Sequence, residues 1–248
     1  MQLDEYLRQF PQAAVAFSGG VDSSYLLYAA KNAGCDVRAY FIKSQFQPRF
    51  ELSDAKRLAD HVGVPLTIGA LDALSDPDVV QNPPDRCYYC KIAVLTKLWE
   101  LVRADGICVL FDGSIADDDE SDRPGMRAKS EMGVLSPLRD CGLNKADIRR
   151  LSKEAGLFTH DKPSYACLAT RIPTGQTITE ALLDKVERAE EALFGMGYSN
   201  FRVRVIPPDI ARLQMPAAQW DIAAANRIEI QKAIQPFFDN VLLDMSER

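Results

Sequence analysis

The sequence predicts an α/β fold, a parallel sheet with helices on both faces, followed by a smaller C-terminal α+β domain. Three observations carry this. The strands of the first half are short and apolar throughout and alternate with stretches of helical spacing, the pattern of strands buried on both faces. A glycine pair, Gly19-Gly20, stands between the first strand and the first long helix. From Thr179 the composition turns to a strongly charged amphipathic helix and alternating strands, which sets residues 1–175 apart from residues 176–248.

Taken in order, residues 3–10 read as a short amphipathic helix and residues 13–17 as a buried strand. Ser18-Gly19-Gly20-Val21-Asp22-Ser23-Ser24 then leads into a helix. Residues 36–42 form a second strand. Leu52, Ala55, Leu58, Ala59 and Val62 share one face of a helix over 51–62, with Gly63 as its C-cap. A third strand covers 65–68, and the proline-bearing 71–86 reads as a surface loop. A helix runs from about Tyr88 to Arg103, Gly106 ends it, and 107–111 is a fourth strand. Asn144 and Asp147 resemble a capping box opening a helix that ends at Ala155. Residues 162–173 have no clean period and read as a loop, where function tends to reside. The second domain is α-β-β-α-β: a helix over 179–196 ending at Gly197, strands over 200–206 and 210–215, a helix over 216–234 and a strand over 240–243.

Composition sets bounds on function. Hydrophobic content of 47% and charged content of 26% are those of an ordinary globular chain. A net charge of −6 argues against a nucleic-acid partner. No apolar run reaches the length of a membrane span, and the first five residues are acidic where a signal peptide is basic, so the expected location is cytoplasmic. Six cysteines there do not point to disulfides. Cys35, Cys108 and Cys141 stand singly and read as buried, inert thiols, whereas Cys87 and Cys90 form a C-x-x-C pair.

The glycine turn is the strongest chemical feature. Glycine permits a positive φ and lets a ligand approach the backbone, and the free N–H groups of the following helix face an anion, best a phosphate. No Walker lysine follows and Gly-x-Gly-x-x-Gly is absent. Ligands of such sheets lie beyond the carboxyl ends of the strands, where Ser18, Ser44 and Asp112 fall. The acidic run from Asp112 to Glu120 could give magnesium its one or two carboxylates. Asp112 and Asp117 are preferred, with Asp119 and Glu120 left to solvent; a solvated acidic turn is the plain alternative. Arg202 and Arg204 alternate with valines on one strand face, fit to clamp phosphate or carboxylate, although spacing alone favours a solvated face.

At Arg86-Cys87-Tyr88-Tyr89-Cys90-Lys91 the motifs converge. With Ser18-Gly19-Gly20-Val21-Asp22-Ser23, Asp112-Gly113-Ser114, Arg123-Pro124-Gly125, Ser136-Pro137-Leu138 and the run from Lys162 to Gly175, the sequence resembles the LarE family. These are ATP-dependent sulfur transferases of the PP-loop ATP pyrophosphatase superfamily, acting in nickel-pincer nucleotide synthesis. The resemblance implies a PP-loop, adenine nucleotide alpha hydrolase-like fold and ATP cleavage between the α and β phosphates. It further implies adenylation of a small carboxylate substrate, in the family a pyridinium biscarboxylate mononucleotide, followed by sulfur transfer to the activated carbonyl. On this reading Ser18, Gly19, Gly20, Asp22, Ser23, Ser24, Ser44, Asp112 and Gly113 bind nucleotide. Asp22 and Asp117 hold Mg2+, Asp22 and Cys167 are catalytic, and Arg123, Arg171, Arg202 and Arg204 take substrate or phosphate.

One branch of the family gives up the sulfur of a cysteine at the position of Cys167. Another holds a [4Fe-4S] cluster on three cysteines, supplied by a sulfide donor, and Cys87, Cys90 and Cys167 match that branch. A zinc site with His160 and a redox dithiol stay open on spacing alone. The resemblance also implies a homo-oligomer. It thins after Thr179: the family's Ala-Arg-Ile-Glu is here Ala211-Arg212-Leu213-Gln214, which removes a carboxylate. A tRNA thiolase, an amidating synthetase and a nucleotide- or metal-binding protein without turnover are the competing functions.

Overall fold

The computed structural model describes residues 1–118 and 124–246, and its contacts divide the chain into two compact units. Met1–Ala73 and Asp85–Lys162 form the first; Leu74–Pro84 and Pro163–Arg248 form the second. The division thus falls after Lys162 rather than near Gly175. The elements in chain order are α1 (Leu3–Leu7), β1 (Gln12–Ala16), α2 (Val21–Asn32), β2 (Asp36–Lys43), α3 (Arg49–Val62), β3 (Leu66–Ala70), α4 (Pro77–Val80), α5 (Arg86–Ala104) and β4 (Leu110–Phe111). There follow α6 (Pro124–Glu131), α7 (Pro137–Asp140), α8 (Lys145–Glu154), α9 (Glu180–Gly195), β5 (Arg202–Ile206), β6 (Ile210–Gln214), α10 (Trp220–Ala225), α11 (Arg227–Ile234) and β7 (Asn240–Leu243).

In the first unit β1 to β4 form one parallel sheet in the order β3-β2-β1-β4. Alternation along the strands divides the core between its faces. Ala13, Val15, Val37, Ala39 and Phe41 enter a cluster with Leu26, Leu27, Leu58 and Ile148, from α2, α3 and α8. Ala14, Tyr40 and Ile42 enter another with Leu95, Leu98, Trp99 and Val102 of α5. Both faces are therefore covered by helices. Because β2 and β4 lie on opposite sides of β1, the strand order reverses there, and the crevice beyond the carboxyl ends of β1 and β4 is the place where such sheets bind ligands.

Local chemistry explains most boundaries. Gly63 ends α3 with φ 69, and Asn144 caps α8 by accepting from Asp147 N–H, in a full capping box. Pro124 and Pro137 each open a helix the sequence did not show at a glance, α6 and α7, where a missing N–H costs nothing. The fourth strand is shorter than its apolar run: only Leu110 and Phe111 pair with β1. Helix α5 starts at Arg86 and takes both Cys87 and Cys90 into its first turns.

The second unit holds a three-stranded sheet, β5-β6-β7, with β5 antiparallel and β7 parallel to β6. Val203, Val205, Ala211 and Leu213 point to its buried side. The expected helix over 216–234 is broken: a 3₁₀ turn at Ala217–Gln219 and α10 precede Asn226, and α11 follows it. The segment expected as a surface loop is anchored instead. Asn82, 4% exposed, donates to the carbonyls of Ile172 (3.3 Å) and Pro173 (2.8 Å), and its own carbonyl accepts from Gly175 N–H at 2.8 Å.

Candidate active site

The glycine turn sits in the crevice beyond β1. Gly19 has φ 71, and a Cβ on it would lie 3.1 Å from the Ala55 nitrogen and 3.2 Å from the Glu51 carbonyl oxygen, so only glycine fits. No side chain caps α2, which leaves its first N–H groups directed at the crevice. Ser23 Oγ donates to the Gly20 carbonyl (3.3 Å), accepts from Ser18 N–H (3.3 Å) and lies 3.1 Å from Ser18 Oγ. Ser18 Oγ in turn accepts from Gly20 N–H at 3.3 Å. Ser24 is fully buried, and its hydroxyl has no partner among the described residues. From β4, Gly113 comes so close that a Cβ there would fall 2.8 Å from the Ser23 nitrogen. Ser18, Gly19, Gly20, Asp22, Ser23, Ser24, Asp112 and Gly113 thus share one edge of the sheet. At the end of the adjoining β2, Ser44 is 5% exposed and donates from its N–H and Oγ to Gln47 Oε1, at 2.9 and 2.7 Å.

Three lysines organise the charge, none of them expected as a site residue. Lys145 Nζ meets both carboxylate oxygens of Asp22, at 2.7 and 2.6 Å. Its backbone N–H donates to Asp117 Oδ2 at 2.8 Å. The two expected magnesium carboxylates are therefore bonded to one residue. Lys129 pairs with Asp112, which is 5% exposed and also accepts from Ser136 Oγ and Ser114 Oγ, each at 2.7 Å. Burial pushes the Asp112 carboxyl up, but the Lys129 charge and the hydrogen bonds together outweigh it and hold the group below its ordinary value. Lys162 Nζ donates to the Gly19 carbonyl (3.2 Å) and to Asp54 Oδ2 (2.6 Å). Only Lys162 had a local mark, as the lone cation before Pro163 in a recognised motif.

Helix α5 precedes β4 in a parallel sheet, so its first turn lies at the carboxyl edge, the edge of the glycine turn. Cys87 is exposed there and Cys90 half-buried. Cys167 belongs to the second unit, where it precedes a 3₁₀ turn at Leu168–Arg171. Among the described residues no group of three or more His, Cys, Asp or Glu side chains is gathered as a metal would need. Of the single cysteines Cys35 is buried as expected, but Cys108 is exposed and Cys141 half-buried. Arg123 lies outside the described residues, as do Asp119 and Glu120.

The arginines of the second unit differ from one another. Arg171, 1% exposed, forks onto Glu190 (Nε to Oε1 2.9 Å, Nη2 to Oε2 3.1 Å), while its Nη1 donates to the Ala166 carbonyl at 2.8 Å. Glu190 also accepts from Tyr165 OH and from Val203 N–H. Expected as a phosphate ligand, Arg171 is committed to the scaffold of the Cys167 loop. The Arg202 side chain has no hydrogen bond or ion pair among the described residues, and its Nε is buried. Arg204 donates to Gln214 Oε1 (3.0 Å) and the Thr170 carbonyl (2.9 Å), and stands opposite Arg212 across the β5–β6 ladder. Burial, then the neighbouring guanidinium groups, lower the pKa of both Arg202 and Arg204. The pair is half-buried rather than the solvated face that spacing favoured.

Comparison with known proteins fits this geometry. Residues 3–118 match the asparagine synthase family. The chain is 34% identical over 215 residues to pyridinium-3,5-bisthiocarboxylic acid mononucleotide synthase of Lactiplantibacillus plantarum, across 86% of this chain and 78% of that one. The chain belongs to the LarE family. As a LarE-family protein it is a PP-loop enzyme, an ATP-dependent sulfurtransferase. It is also similar to an uncharacterized protein of Synechocystis (36% over 220 residues, 87% and 82% of the two chains). A more distant likeness is to the tRNA-specific 2-thiouridylase of Pseudothermotoga lettingae (27% over 184 residues, 60% and 53%). Among the described residues no helix is long and apolar enough to cross a membrane.

Proposed function

We propose that this LarE-family enzyme adenylates a carboxylate of a small phosphorylated substrate and then replaces the adenylate with sulfur. A carboxylate oxygen attacks the α phosphorus of ATP, the bond between the α and β phosphates breaks, and pyrophosphate leaves. Sulfur then attacks the carbonyl carbon and AMP departs, leaving a thiocarboxylate. The observation that carries this reading is the glycine turn: an uncapped helix start facing the crevice, with no lysine in the loop to serve the β and γ phosphates. The name of the L. plantarum relative suggests the acceptor, a pyridinium biscarboxylate mononucleotide of nickel-pincer cofactor synthesis. Arg202, whose side chain has no partner among the described residues, and Arg204, facing another arginine, suit its phosphate.

Asp22 and Asp117 would hold Mg2+ against the pyrophosphate, with Lys145 then released to the phosphates. For the sulfur we favour Cys87, Cys90 and Cys167 as ligands of a [4Fe-4S] cluster, since thiolates are its donor set and three of them leave one iron open. That cluster would supply sulfide repeatedly. The second reading is sacrifice of the Cys167 sulfur, which needs no other cysteine. A sulfide donor, an assembly of several copies and a cytoplasmic setting belong to the same proposal. Pyrophosphate release that depends on adding the pyridinium dicarboxylate is the test. ATP consumption indifferent to the acid would overturn the reading.

A further inference from the structure

Arg86 is the most exposed anomaly in the energetics of the first unit, because it is the most hidden cation. The residue is 6% exposed, yet no carboxylate pairs with it among the described residues. Its Nη2 lies 3.5 Å from Cys87 Sγ, a weak acceptor, and its Nη1 is buried without any partner. Its Cζ stands 5.9 Å from the ring of Phe46. A guanidinium removed from water without a counter-charge is costly, and deleting it usually relieves the fold.

Its position says what would compensate it. Arg86 is the first residue of α5, a helix of 19 residues whose N-terminus no side chain caps. That terminus lies at the carboxyl edge of the sheet. Phe46, on the loop after β2, donates its N–H to Ser44 Oγ at 3.2 Å, so the guanidinium borders the loop that ends the strand next to β1. A positively charged fork at an uncapped helix start, on the ligand edge of a PP-loop sheet, is a receptor for phosphoryl oxygens.

We infer that Arg86 is a further nucleotide-binding residue, donating from its buried fork to a phosphate of bound ATP. The inference rests on the ATP chemistry proposed above, and wild-type ATP binding tests that chemistry separately. Thermal unfolding and calorimetric titration of the full chain, of Arg86→Gln and of Arg86→Lys would be run with Mg-ATP, AMP and pyrophosphate. Arg86→Gln should unfold no lower than wild type without ligand, yet bind ATP about tenfold to a hundredfold more weakly, with Arg86→Lys between them. The weakening should recur with whichever of AMP or pyrophosphate carries the contacted phosphate. A ligand-free variant that unfolds at lower temperature would show a structural cation and overturn the inference. So would unchanged binding of all three ligands, which would leave Cys87 as the partner Arg86 serves.

Discussion

Asp112 is a buried carboxylate held by one cation, Lys129, and by the hydroxyls of Ser114 and Ser136. Its position after β4 was legible, because an apolar run ending in Asp-Gly predicts a strand and a turn at the ligand edge. Its partner Lys129 was not, since nothing local marks that lysine. The pair gives a signed expectation. A carboxyl held below its ordinary value of 3.8 contributes stability that is fully present above that value and is lost as pH falls through the lowered one. Lys129→Met should therefore cost about 3–5 kcal/mol near neutrality, by stranding a buried carboxylate. In that variant the Asp112 pKa rises, so the deficit against wild type should shrink between pH 7 and 4 in urea titrations. A deficit independent of pH would show that Lys129 acts by packing alone. Gly113→Ala puts a methyl group against the Ser23 nitrogen and should cost about 1–3 kcal/mol while weakening ATP binding.

At the scale of elements, the 3₁₀ turn at Leu168–Arg171 and the β5–β6 hairpin hold two kinds of arginine that the sequence presents alike. Arg171 is tied to Glu190 and the Cys167 loop, so Arg171→Met should destabilise the chain by about 3–5 kcal/mol, leaving Glu190 buried and unpaired. The Arg202 side chain has no partner among the described residues to lose. Arg202→Gln should leave the unfolding temperature in dilute buffer unchanged or higher, but should abolish most of the rise that inorganic phosphate gives the wild type. An equal phosphate response in both proteins would remove Arg202 from the anion site. Period-two alternation placed Arg202 and Arg204 on one face; it could not show that their opposite neighbours are Gln214 and Arg212, which depends on register. The same limit explains the 74–84 segment, whose prolines read as surface loop while Asn82 reaches residues ninety positions away. Asn226, likewise, breaks a helix whose apolar spacing runs through it.

Over the whole molecule, the fold was legible because alternating apolar strands, glycine punctuation and one glycine turn agree with each other. The long-range ties were not: Asp22 to Lys145 and Asp54 to Lys162 join residues 123 and 108 positions apart. The cysteines pose the open chemical choice. Mass spectrometry after turnover should find Cys167 intact with many products per chain if a cluster supplies the sulfur, and dehydroalanine at 167 in iron-free protein if the cysteine is consumed. Either sulfur source needs an activated carbonyl first. The account therefore stands most directly on how ATP is cut. With ATP labelled at the γ position, the acid substrate and Mg2+, the label should appear in pyrophosphate with AMP formed alongside in equal amount. Label in free phosphate beside ADP would contradict it.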